Sequence, residues 1–368
     1  MLGSTQSKFL LALGLALVVD ACGGGGGGGG GSSPPPCAAS IKTCYVTVDG
    51  YDGNDGSAPD PAHAFGTIGR AVEVVQDNYT VDVGPGTYHE AVSTDRQNRP
   101  SPSGLRLIAQ NGPAVIDAAG TTLGAGIRVS NSDNSVINGF TVINSPGAGI
   151  LVKSGSDNFS IRNCIVHDST GDGINIQDSS GVLLFNNLVY GNGGLGIGVV
   201  GSSGSPNATL FNNTIAFNVG RGITVGTSSG ASTGALLRNN IVQQNGSGTP
   251  PSINVRVLND SISGFDGDFD LVFPANSYSP ANLAGRNDVN ENALFSGATA
   301  NGPPEDFQLQ IDSPAIDMGA TLTGGHPLLK QCLQQRTTTG VNLDSGVLDI
   351  GYHFPANNPA PSCFVDPV

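Results

Sequence analysis

Apolar residues in the middle of the chain come in short alternating bursts, and the bursts recur. Aligned on isoleucine, "IRVSNSDNSVINGFTVINSPGAG" begins at Ile127 and "ILVKSGSDNFSIRNCIVHDSTGDG" at Ile150. "INIQDSSGVLLFNNLVYGNGGLG" follows at Ile174, "IGVVGSSGSPNATLFNNTIAFNVGRG" at Ile197 and "ITVGTSSGASTGALLRNNIVQQNGSG" at Ile223, and "INVRV" restarts at Ile253. The steps are 23, 24, 23, 26 and 30 residues. Each unit holds three alternating stretches separated by Gly, Asn, Ser or Asp, and alternation at period two predicts strands, not helices. Three strands per unit predict an all-β fold, a single-stranded right-handed parallel β-helix with coils about 4.8 Å apart. One coil cannot bury its own apolar face, so the units must stack.

The register sorts residues into columns. Ile137, Ile161, Leu184, Leu210 and Leu237 should point inward, as should Phe140, Cys164, Asn187, Asn213 and Asn240 three residues later. Stacked asparagines can hydrogen-bond from coil to coil, satisfying amides that would be costly to bury unpaired. Cys164 in that column reads as a buried, inert thiol. Between these columns Asn138, Arg162, Phe185, Phe211 and Arg238 should face outward. Arg162, Phe185, Phe211 and Arg238 make a substrate-binding strip of stacked rings and guanidiniums, suited to sugars or uronate carboxylates. The alternative is that the chain after Ile253 folds back over them. His167 and Tyr190 sit side by side on the next face, either under a cover or as an acid–base pair. "GNGGLG" and "GTSSG" match a dinucleotide fingerprint and a nucleophile elbow, but both lie between strands of the repeat and lack the helix each motif needs.

The flanks carry a resemblance. "YVTVDGYDGNDGS", "AFGTIGRAVEVV" and "VDVGPGTYHEAV" resemble the opening of pectate-lyase-like right-handed β-helix proteins, where a "TI..A" helix caps the solenoid. "DFQLQIDSPAIDMG" and "DIGYHF" resemble the C-terminal part of bacterial surface proteins with choice-of-anchor Q domains. The resemblance implies an N-terminal capping helix and an irregular C-terminal segment. It also implies interaction with polysaccharide, and in the lyases a basic residue that removes the proton α to a uronate carboxylate beside acid-bound calcium. On the isoleucine sheet the outward positions are Arg128, Leu151, Asn175, Gly198 and Thr224, then Ser130, Lys153, Gln177, Val200 and Gly226. Lys153 is the candidate catalytic base, with Asp157 and Asp178 as candidate calcium ligands. The plainer reading is a solvated lysine weakly paired with Asp178. "DGYDGNDG" is either a turn-rich cap loop or a weak calcium loop.

Composition adds a compartment. The net charge is −14 with four lysines in 368 residues, which excludes nucleic acid as a natural partner. "FLLALGLALVVDAC" resembles a lipoprotein signal, too short to span a bilayer, with Cys22 as the lipidated residue and plain secretion as the alternative. Nine glycines and "SSPPP" then form a tether. Cys37 with Cys44, and Cys332 with Cys363, are disulfide candidates for an oxidising compartment. The expected regions are a signal (1–22), linker (23–36), cap and first coils (37–104), β-helix repeats (105–260) and C-terminal region (261–368). Two functions fit an exported, lipid-anchored monomer at the bacterial cell envelope. One is a non-catalytic polysaccharide-binding or structural surface module, the other a calcium-dependent polyuronate lyase.

Overall fold

The structure, a computed structural model, describes residues 37–96, 99–109, 112–246, 253–275 and 277–320, with 333, 337–339, 344 and 346–354. Residues Pro35–Val368 pack as one compact unit. Its strands are three to six residues long in the repeats and form three sheets of nine, eight and eight strands among the described residues. Neighbouring strands in each sheet are parallel and come from successive coils, so the chain winds as a right-handed parallel β-helix. We call the sheets A, B and C in the order in which each coil visits them.

The inward columns stand where alternation places them. Ile137, Ile161, Leu184, Leu210 and Leu237 are opposite one another in sheet A and all buried. Ile127, Ile150, Ile174, Ile197 and Ile223 do the same in sheet C, but the next partner is Val255, not Ile253. Ile253 and Val255 share strand parity, so the alternation alone does not separate them. The difference puts Asn254 in the turn, where its Oδ1 accepts from the Asn245 backbone N–H at 3.2 Å.

Between sheets A and B the turns at 163–164, 186–187, 212–213 and 239–240 are each made by two residues with divided labour, all asparagine except Cys164. The first member, Asn163, Asn186, Asn212 and Asn239, holds φ between 51° and 58°, a left-handed conformation that asparagine tolerates better than most residues. The second member builds the internal ladder. Asn187 donates N–H and Nδ2 to Asn213 Oδ1 (3.0 and 2.9 Å), and Asn213 does the same to Asn240 Oδ1. Cys164 donates its backbone N–H to Asn187 Oδ1, and Asn240 donates to Asp270 Oδ1 at the top. Two further ladders were not singled out from the sequence. Asn192, Asn218 and Asn245 stack at the turn from B to C, and Ser156, Ser179, Ser205 and Ser232 at the turn from C to A.

The ends are closed differently. The helix Ile68–Val74 covers the first coil, with Thr67 capping it through the Arg70 N–H. Glu90 of "GTYHE" turns both carboxylate oxygens on the Ile68 and Gly69 N–H groups (2.7 and 2.8 Å), and burial still raises its pKa. "DGYDGNDG" is a cap loop: Asp52 accepts from the Gly66 and Thr67 N–H groups, and Asp55 from Ser57. Cys37 and Cys44 form a disulfide. Cys22, Cys332 and Cys363 lie outside the described residues.

Candidate functional site

Which face of the solenoid is free decides what it can bind. On sheet A, Phe185 and Phe211 do project outward, but Leu333 and Leu348 of the C-terminal segment pack on them with Ile108 and Leu183, leaving Phe185 1% exposed. Arg162 is buried and Arg238 pairs with Asp266. The strip Arg162, Phe185, Phe211 and Arg238 is therefore a covered structural face and not a substrate-binding surface. Burial of each of these large rings stabilises the fold by roughly 1.5–3 kcal/mol.

Sheet B is sealed too. Leu188, Tyr190, Ala216, Ile241 and Leu271 pack against Ala293, Phe295, Phe307, Leu309, Ile350 and Tyr352. His167 stacks on Tyr190 at 4.7 Å, and Tyr190 lies 4.4 Å from Phe307, so this pair is part of a covered aromatic face. The first asparagines of the turn pairs hold the tail in place. Asn186 exchanges bonds with the His353 N–H and C=O, Asn212 donates to Asp349 O, and Asn239 receives the Ala320 N–H at 2.7 Å. Asp317, Asp344 and Asp349 bring three carboxylates together, but each is tied into this latch. Asp349 accepts from the Asp317 N–H and from Thr337, while Asp344 accepts from the Asp349 N–H and lies 3.6 Å from His353 Nδ1.

Sheet C is left. Its strands in the repeats are Ala125–Ser130, Ala148–Lys153, Ile174–Gln177, Ile197–Val200, Ile223–Val225 and Val255–Val257. No apolar cluster forms on its outside among the described residues. Lys153 stands here opposite Ser130, half-buried, and forms no ion pair among the described residues. The carboxylates expected beside it do other work. Asp157 Oδ1 accepts from the Ser180 N–H at 2.7 Å and Asp178 Oδ1 from the Ser203 N–H at 2.6 Å, so each bridges to the next coil. Calcium takes six to eight oxygens. Among the described residues the one group of three candidate ligands is the tail latch, and Asp157 and Asp178 belong to no such group.

Two arginines that the sequence reading passed over complete the face. Arg256 lies opposite Thr224 and Ser279 and lines a cavity of about 310 Å³ with Thr227, Ser228, Asn259 and Asp260. Arg221, in the turn leading to Ile223, has its pKa lowered by burial and by the nearby Arg256 charge. Neither forms an ion pair among the described residues, whereas Arg128 at the other end of the sheet pairs with Asp95 at 3.0 Å. The signal was present in "GRGITV" and "INVRV" at outward positions of the repeat.

Residues 111–259 match the family model described as "Right handed beta helix region". The chain carries a right-handed β-helix. No curated protein matches it. Among solved structures, pectate lyase Pel9A aligns over 84% of this chain and 95% of its own, at 14% identity and a TM-score of 0.47. The XylC–xylose complex covers 62% of this chain and 65% of its own (11% identity, TM-score 0.44). The GH136 lacto-N-biosidase from Eubacterium ramulus covers 62% and 56% (11% identity, TM-score 0.39). At these values the likeness carries no argument about this chain.

Proposed function

We propose that this β-helix is a non-catalytic surface module that binds acidic polysaccharide along the outer face of sheet C, displayed from the bacterial envelope by a lipid on Cys22. The observation that carries the reading is the division of the three faces. Among the described residues the tail packs on A and B, while no apolar cluster covers C, and Lys153, Arg221 and Arg256 there have no carboxylate partner, on a chain of net charge −14. On an acidic chain, cations left unpaired on one exposed face suit a repeating anion. Lys153 alone keeps a lyase reading in view, because an unpaired half-buried lysine on this face could take a proton. Asp157 and Asp178, committed to backbone N–H groups, speak against the calcium half of that mechanism.

One experiment separates the two. Purified protein is titrated with polygalacturonate and alginate, with and without calcium, while ultraviolet absorbance follows unsaturated products. Binding with a flat absorbance trace supports the module. Absorbance that rises and is lost in Lys153→Ala makes the protein a lyase. No binding to either polyanion sinks the proposal.

A further inference from the structure

A second cavity, of about 390 Å³, lies where the tail meets the turns between sheets B and C, away from the open face. Its walls include Phe217, Phe295 and Leu294 with the amides of Gln244, Asn292 and Gln310, and no charged side chain lines it.

The backbone around this cavity departs from the preceding turns between sheets B and C. In five successive coils the residue after the sheet B strand is left-handed: Asn144, Asp168, Gly191, Phe217 and Gln244, with φ from 54° to 62°. The first three are residues that adopt this conformation readily. Phe217 and Gln244 are not, and for a bulky aromatic side chain the strain is of order 1–3 kcal/mol. Both line the cavity, and so does Leu294, itself at φ 52°. Three residues in this conformation thus furnish one pocket, although Phe269 holds it elsewhere at φ 60°.

The furniture is also rigid. Phe217 and Phe295 both pack on Phe307, at 6.0 Å edge-on and 5.3 Å tilted, and Phe307 rests on Tyr190. Phe217 is nevertheless only partly buried. Gln310 Nε2 is spent on Phe295 O and Asn292 Oδ1 on the Leu294 N–H, leaving Gln310 Oε1 and Asn292 Nδ2 without a partner among the described residues. The Gln244 side chain forms no hydrogen bond among the described residues.

We propose that this cavity is a binding site for one neutral, hydroxyl-rich sugar ring, stacked on Phe217 and hydrogen-bonded by the amides of Gln244, Asn292 and Gln310. A pyranose presents apolar C–H faces to a ring and hydroxyl edges to amides. An uncharged lining gives no partner to a carboxylate, so a uronate would leave its charge unpaired here. The site shares no residue with the sheet C face and stands or falls separately from it.

The test is saturation-transfer NMR on the purified protein with methyl β-D-glucopyranoside, methyl β-D-galactopyranoside and methyl α-D-mannopyranoside, and with methyl β-D-glucuronide as the charged comparison. At least one neutral glycoside should show transfer. That signal should fall about tenfold in Phe217→Asn, which suits the left-handed turn while removing the ring, and in Gln244→Ala on the exposed rim. Arg256→Ala should leave it unchanged. Absence of transfer from all three neutral glycosides overturns the proposal. So does a signal that survives both pocket variants, or one that Arg256→Ala abolishes, which would move the sugar to the open face.

Discussion

Asn213→Ala should be among the most damaging single truncations in this solenoid. The Asn213 side chain makes four hydrogen bonds: Oδ1 accepts from the Asn187 N–H and Nδ2, and its own Nδ2 donates to Asn240 Oδ1 and Leu184 O at 2.9–3.0 Å. It is fully buried, so no water replaces them. At about 1 kcal/mol net for each bond the loss is about 4 kcal/mol, with the Asn187 N–H left unsatisfied in the interior. Asn187→Ala removes the Asn187–Asn213 side-chain bond as well, so a double-mutant cycle should return a coupling of about 1 kcal/mol. Urea unfolding followed by circular dichroism measures both. A cost below about 1 kcal/mol for Asn213→Ala, with m unchanged, would show that the ladder is ornamental and refute the reasoning.

Further outcomes follow from the same geometry. Asp270 ends the ladder with Oδ2 unpaired, and burial, reinforced by Asp288, holds its pKa well above the ordinary carboxylate value. A raised folded pKa makes its contribution fullest below the unfolded value of about 3.9 and lost as pH rises through the folded value. Asp270→Asn, which continues the column, should therefore raise stability at pH 7 by on the order of 1–3 kcal/mol. The gap should shrink toward pH 4, and a gap constant with pH in denaturant titrations would be wrong for this account. Cys164 is buried with its thiol pushed up to about 12, so Ellman's reagent should label it only on unfolding. Asn186→Ala removes both links to His353, and hydrogen exchange at residues 349–354 should quicken while the coils stay protected.

How much of this could be read from the chain depended on range. The coils were legible because Ile127, Ile150, Ile174, Ile197 and Ile223 repeat within one period, and the same period placed Asn187 and Asn213 inside. The double asparagine read only as a ladder, yet its first member serves a left-handed turn and a distant strap. That strap joins Asn186 to His353 across 167 residues and Asn212 to Asp349 across 137, separations at which no period signals a contact. For that reason Phe185 and Phe211 could be placed outside but not declared covered. Asp157 and Asp178 looked like ligands because composition shows an acid but not the backbone N–H it accepts. Phe217 was visible as a residue but its φ was not. The exception stands out only once the left-handed position is seen to recur in five successive coils.

The central claim is that only the sheet C face meets a polyanion. The most direct measurement compares polygalacturonate affinity, by calorimetry, for the wild type, a Lys153→Ala/Arg256→Ala variant and Arg238→Ala on the covered sheet A face. Affinity should fall at least about tenfold in the open-face variant, as expected for two lost charge contacts, and hold within about twofold in Arg238→Ala. Equal loss in both, or loss in Arg238→Ala alone, would contradict the assignment of the open face.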